Sequence, residues 1–98
     1  MEINKTQNGA ELTVALKGRL DTSTAPMLES ELKDSLDGIT DLTFDFAELE
    51  YISSAGLRVM LMAQKTMNKQ GSMVVKNVNS DINEVLEITG FCDIMTIV

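Results

Sequence analysis

Histidine and tryptophan are absent from these 98 residues, and cysteine and proline occur once each. Without histidine there is no Ser-His nucleophile and no imidazole ligand for a metal. A lone Cys92 can neither close an internal disulfide nor build a zinc cluster, and it reads as a reduced thiol in a core. No apolar run approaches the roughly 18 residues that span a bilayer. The opening residues, MEINKTQNG, carry no basic patch and no apolar core of a signal peptide, so a cytoplasmic location is expected. Neither GxxxxGK[ST] nor GxGxxG occurs, so no phosphate-cradling loop can be read. The carboxylates Asp34, Asp37 and Asp41 look like solvated helix-end and loop charges rather than an acid–base pair. No enzymatic role and no cofactor are expected, with a serine–lysine hydrolase the formal exception.

What is present is ordinary for one globular domain. Apolar residues make up 44% and charged residues 23%, and no repeat, linker or low-complexity segment divides positions 1–98. The net charge of −7 argues against nucleic acid or an anionic membrane as the main partner. Its distribution is uneven. Asp21 to Glu50 holds nine acids and one base, Lys33; Tyr51 to Ser80 holds four bases and no acid.

Alternation and turn residues divide the chain. Ile3 to Gln7 reads as an edge strand blunted by Lys5, and Asn8-Gly9 as a hairpin turn. Leu12, Val14 and Leu16 mark the second strand, and Gly18 to Thr24 a loop. Thr24 or Ser23 is the expected cap of a helix with Pro26 in its first turn and Ala25, Leu28, Leu32 and Leu36 on one face. Gly38 ends it. Leu42, Phe44 and Phe46 share a strand face, and the strand–helix–strand order predicts a parallel pair with a right-handed crossover.

A second helix is predicted over Ala55 to Gln70. It buries Leu57, Met60, Leu61 and Ala63 and turns Arg58, Met62, Lys65 and Lys69 outward. Gly71 stops it. Met73 to Val75 is a buried strand. Asn79 or Ser80 caps a third helix with Ile82, Val85, Leu86 and Thr89 inward, and Ile94 to Val98 is a last strand. The expected class is α/β, with four or five strands and about three helices.

The stretch YISSAGL, Tyr51 to Leu57, puts Ser53 and Ser54 in a loop at a helix N-terminus, where free backbone N–H groups meet a hydroxyl or an anion. One of the two caps the helix. The same place tolerates a phosphate, because the helix end and Arg58 one turn on both favour negative charge. A partner packed against the loop must instead desolvate or repel that charge. The loop therefore has the physics of an interaction switch.

Gly18-Arg19-Leu20-Asp21 followed by Thr24-Ala25 resembles the G-x-L-D-x-x-T-A segment of STAS domains. Tyr51-Ile52-Ser53-Ser54-Ala55-Gly56-Leu57 resembles their phosphorylation loop, commonly D-S-[ST]-G-L, and Thr89-Gly90-Phe91 their third-helix ending. The chain is identified on these motifs, across essentially all its length, as similar to the stand-alone STAS proteins that act as bacterial anti-sigma-factor antagonists. The resemblance implies a mixed four- to five-stranded sheet with three to four helices packed mainly on one face. Aligning Gly56-Leu57 puts Ser54 at the phosphoacceptor, with Ser53 the alternative, standing where the family often has aspartate.

The family mechanism then implied is partner switching. The unphosphorylated protein binds an anti-sigma factor that is also a serine kinase, and this releases a sigma factor. Phosphorylation of the loop serine ends the complex, and a serine phosphatase restores it. Carried over, the partner-binding residues are Asp21, Thr22, Ser53, Ser54, Gly56 and Arg58, to which the outward stripe adds Met62. The free protein is expected to be a monomer, without nucleic-acid binding or membrane insertion. The alternative is a non-phosphorylated STAS subunit of a lipid-transport or stress-sensing assembly.

Overall fold

The computed structural model describes all residues from Met1 to Val98. Five strands, β1 (Glu2–Asn8), β2 (Glu11–Leu20), β3 (Asp41–Ile52), β4 (Ser72–Lys76) and β5 (Thr96–Ile97), lie side by side in chain order. β1 and β2 form an antiparallel hairpin whose two turn residues are Gly9 and Ala10, one position on from the expected Asn8-Gly9, and every later pairing is parallel. Three helices, α1 (Ala25–Ser35), α2 (Ser54–Gln70) and α3 (Ser80–Ile88), make the crossovers, and a 3₁₀ turn at Phe91–Asp93 leads into β5.

Each crossover advances one strand in the same direction. Right-handed connections of that kind all fall on one side of a sheet. Burial agrees: Leu12, Val14, Leu16, Leu42, Phe44, Met73 and Val75 are buried, whereas Thr13, Ala15, Thr43 and Val74 between them are half-exposed. The buried face joins Leu28 and Leu32 of α1, Met60 and Met67 of α2 and Ile82 and Leu86 of α3 in one core of 24 apolar residues. The opposite face carries no helix.

Two strands run further than their alternation predicts. β2 runs on through Gly18 and Arg19 to Leu20, and β3 continues past Phe46 to Ile52. The pairing slips twice, between Ala15 and Lys17 and between Gly18 and Arg19, so β3 spends two extra residues against β2. Its buried positions then go Phe46, Leu49, Ile52 instead of keeping a period of two. That broken alternation is why AELEYI does not read as strand. Gly18, at φ +101°, supplies backbone that other residues rarely adopt at one of these slips.

Other departures are smaller. On α2, Val59 is buried and Leu61 is only half-buried, and Thr89 lies at the exposed end of α3, its hydroxyl donating to Val85 O at 2.7 Å. The last strand is two residues long, with Ile94 and Val98 exposed. The far ends of α1 and α2 are tied by Gln70, whose amide donates to the carbonyls of Leu36 and Ile39, each at 2.6 Å. That bond satisfies carbonyls that the end of α1 leaves open.

Candidate functional site

Only Ser53 separates β3 from α2. Its backbone is still extended (φ −97°, ψ 174°), and its N–H donates to Leu20 O at 2.9 Å, continuing the β2 ladder. Its hydroxyl accepts from Gly56 N at 3.3 Å, which makes Ser53 the N-cap. Ser54 is therefore the first residue of the helix, not its cap. It is exposed, and its hydroxyl has no hydrogen-bond partner in the protein. The two serines divide the work the sequence left shared: one hydroxyl is tied into the fold and the other is free.

Gly56 lies under this first turn and is buried. A Cβ there would come 2.7 Å from Leu20 Cγ and 3.0 Å from Ile52 Cγ1. The missing side chain lets α2 start directly on the ends of β2 and β3. Among the expected partner-binding residues, Gly56 alone is taken off the surface; its contribution is to position Ser53 and Ser54.

The neighbouring turn before α1 is held by Asp21. Its carboxylate accepts from Ser23 Oγ at 2.7 Å, Ser23 N at 3.0 Å and Thr24 N at 3.2 Å. These bonds, the Ser23 hydroxyl first, hold the Asp21 carboxyl below its usual pKa against the opposing effect of desolvation. Thr24 stands at the N-cap position of α1 without capping it. Its hydroxyl accepts from Asp21 N at 2.8 Å and donates to Arg19 O at 2.8 Å, locking the turn to the end of β2. The capping expected of Thr24 or Ser23 is thus replaced by a turn built on Asp21.

Between the two turns lies a groove of about 240 Å³, where Thr22, Pro26 and Glu29 face Ala55, Arg58 and Val59. Thr22 and Arg58 are exposed on its rim. The structure thus brings Asp21, Thr22, Ser53, Ser54 and Arg58 to one end of the sheet. Met62 lies one turn further along α2, half-buried.

One feature escaped the sequence. Tyr51 pairs across the strands with Arg19, whose guanidinium lies 4.2 Å from the centre of its ring, and Arg19 Nε is 3.8 Å from Asp21 Oδ2. Tyr51 is 41% exposed, so an aromatic face stands beside the serines with a cation already stacked on it. The register that pairs residues 19 and 51 depends on the two slips, which no local pattern announces.

Four cations have a carboxylate within 4.0 Å: Lys5 with Glu31, Lys17 with Glu48, Arg19 with Asp21 and Lys33 with Glu29. Lys76 lies by Asp45, whose carboxyl is held below its usual pKa chiefly by the Asn77 amide, with the Ala47 N–H and Lys76 adding to it. Arg58, Lys65 and Lys69, like Lys76, have no carboxylate within 4.0 Å. No group of three or more metal-ligating side chains is assembled. No helix is long and apolar enough to cross a membrane.

A one-faced α/β sheet with a capped serine turn at the strand ends defines a known class. The STAS domain profile matches residues 2–98, and the chain belongs to that family. Within it, the chain is 38% identical over 88 residues to BtrV of Bordetella bronchiseptica, which carries the name of an anti-sigma factor antagonist; the match covers 88% of this chain and 76% of that protein. It is 29% identical to the anti-sigma-B factor antagonist of Bacillus subtilis, over 99% of this chain and 90% of that one. The fold matches the anti-sigma factor antagonist SpoIIAA in its unphosphorylated form (TM-score 0.78, 13% identity, 99% of this chain and 87% of that one) and its phosphorylated form (0.77, 15%, 99% and 91%).

Proposed function

We propose that this chain is an anti-sigma factor antagonist controlled by phosphorylation of Ser54. In this reading the unphosphorylated form binds, in the cytoplasm, an anti-sigma factor that is itself a serine kinase. A phosphate from ATP ends the complex, and a serine phosphatase restores it. The protein is ligand and substrate in this cycle, not catalyst. The names of its relatives support the class of partner.

The observation that carries the choice of residue is the division between the serines. Phosphorylating Ser53 would esterify the half-buried oxygen that accepts from Gly56 N, disturbing a cap typically worth about 1 kcal/mol. Phosphorylating Ser54 disturbs no bond in the fold. A phosphoserine carries about −1.5 to −2 charges at pH 7. At the first position of α2, with Arg58 four residues on, that charge is favoured by about 0.3–1 kcal/mol per interaction. Body and docking surface therefore respond in opposite senses. Thr22, Arg58 and Met62 complete the contact surface, while Asp21, Ser53 and Gly56 hold it in shape.

The test is incubation with an anti-sigma factor kinase and Mg-ATP, followed by mass-spectrometric mapping. One phosphate is expected on Ser54, lost in Ser54→Ala and kept in Ser53→Ala. Phosphate on Ser53 alone, or none with an active kinase that binds the chain, would refute the assignment.

A further inference from the structure

The asparagine side chains of this protein are hydrogen-bonded, with one exception. Asn4 donates to Glu2, Asn68 accepts from Gln64, Asn77 donates to Asp45 and Asn83 donates to Glu87. Asn79 accepts from Ile82 N and donates to Leu49 O. Asn8 alone has no partner, and it is exposed at the end of β1. It is also the one asparagine followed by glycine.

That neighbour decides the chemistry. The side-chain carbonyl carbon of an asparagine lies within reach of the next residue's backbone nitrogen, and attack there closes a cyclic imide and expels ammonia. Two things ordinarily hinder it: a side chain on the following residue, and a hydrogen bond that holds the attacking N–H. The N–H groups after Asn68 and Asn83 belong to helical ladders, and Asn4, Asn77 and Asn79 are followed by Lys5, Val78 and Ser80. Neither hindrance applies at Gly9. Nothing lies within 4 Å of where a Cβ would stand, and its N–H makes no hydrogen bond. Its φ of +62° is what the hairpin needs a glycine for, so the residue that shapes the turn also opens the reaction.

We propose that Asn8 is a site of spontaneous deamidation whose product weakens the β1–β2 hairpin. The Gly9 nitrogen bonds to Asn8 Cγ, the Cγ–Nδ2 bond breaks, and ammonia leaves with the proton from Gly9 N. Water then opens the imide at either carbonyl, giving aspartate, or isoaspartate with the main chain routed through the side chain. Both products carry a carboxylate in place of the amide. The cross-strand partner of residue 8 is Glu11, which in turn pairs with Asp41. The three stand in one row on the helix-free face, on adjacent strands about 4.8 Å apart. A charge placed directly opposite Glu11 is repelled by it, and the hairpin loosens. This turn lies at the far end of β2 from the serine turn, so nothing in it depends on the partner-switching reading.

The test ages the full-length protein in neutral buffer beside a free peptide of residues 6–17, followed by tryptic mass mapping. Trypsin releases the same segment, which holds no other asparagine. The mass gain of an amide turned to a carboxyl is expected on segment 6–17 before any other, as two chromatographically distinct products, and is absent in Asn8→Gln. Ring closure at Asp37-Gly38 returns the starting mass and does not interfere. Asn8→Asp should lower the melting temperature by about 1–5 °C, and most of that loss should vanish when Glu11→Gln is present in both chains. A folded protein that stays unchanged while the free peptide converts, a gain appearing first at another asparagine, or a gain that persists in Asn8→Gln would each overturn the proposal. So would an Asn8→Asp chain that melts with the unmodified one, or an equal loss in the Glu11→Gln background.

Discussion

Gly56 decides whether α2 can begin where it does. The nearest atoms to an added methyl belong to Leu20 and Ile52, both buried and packed, so they cannot swing aside. Gly56→Ala should cost about 1–3 kcal/mol, seen as a lower melting temperature. An unchanged melting point would mean that the turn has slack. A second residue-scale effect is a titration. Asp45 accepts from Asn77, so its folded pKa is depressed; the stability this contributes is present above the ordinary value of 3.8 and is lost as pH falls through the folded value. Asn77 has φ +59°, which glycine adopts freely, so Asn77→Gly removes the bond without straining the backbone. The Asp45 carboxyl should then titrate higher by ¹³C NMR, and stability should fall less steeply below pH 3.8 than in the unmodified chain. An unmoved midpoint would remove Asn77 as the cause. The glycine of the serine motif was visible in the sequence, but the reason for it was not, because Leu20 lies 36 residues away.

At the scale of elements, α2 carries the site, and its start is set by one hydroxyl. Ser53→Ala should lower stability by about 1 kcal/mol, whereas Ser54→Ala should leave the denaturation midpoint nearly unmoved. Equal losses would mean that the two hydroxyls share the cap. Periodicity was enough to place all three helices and the middle of each long strand, since Leu12 to Leu16 and Leu42 to Phe46 alternate cleanly. It failed at the strand ends, where the two slips of β3 on β2 break the alternation that marks a half-buried strand. Ser53 and Ser54 were both recognisable as residues of a helix start. Which one was bonded depended on where β3 stops, and so on those slips. The pairing of Arg19 with Tyr51 was hidden for the same reason.

Over the whole molecule, one line of unpaired cations stands on a body of net charge −7. If an acidic partner is steered to that line, its association rate with the kinase should fall as salt rises and the screening length drops below about 10 Å. A rate independent of salt would contradict steering. The larger claim is that charge added at Ser54 spoils docking and spares the fold. It is tested most directly by calorimetry of Ser54→Asp and the unmodified chain against the same anti-sigma factor kinase, alongside their melting curves. The account predicts a dissociation constant raised about tenfold or more with the melting temperature held within a few degrees. Equal affinity in a folded variant would contradict it.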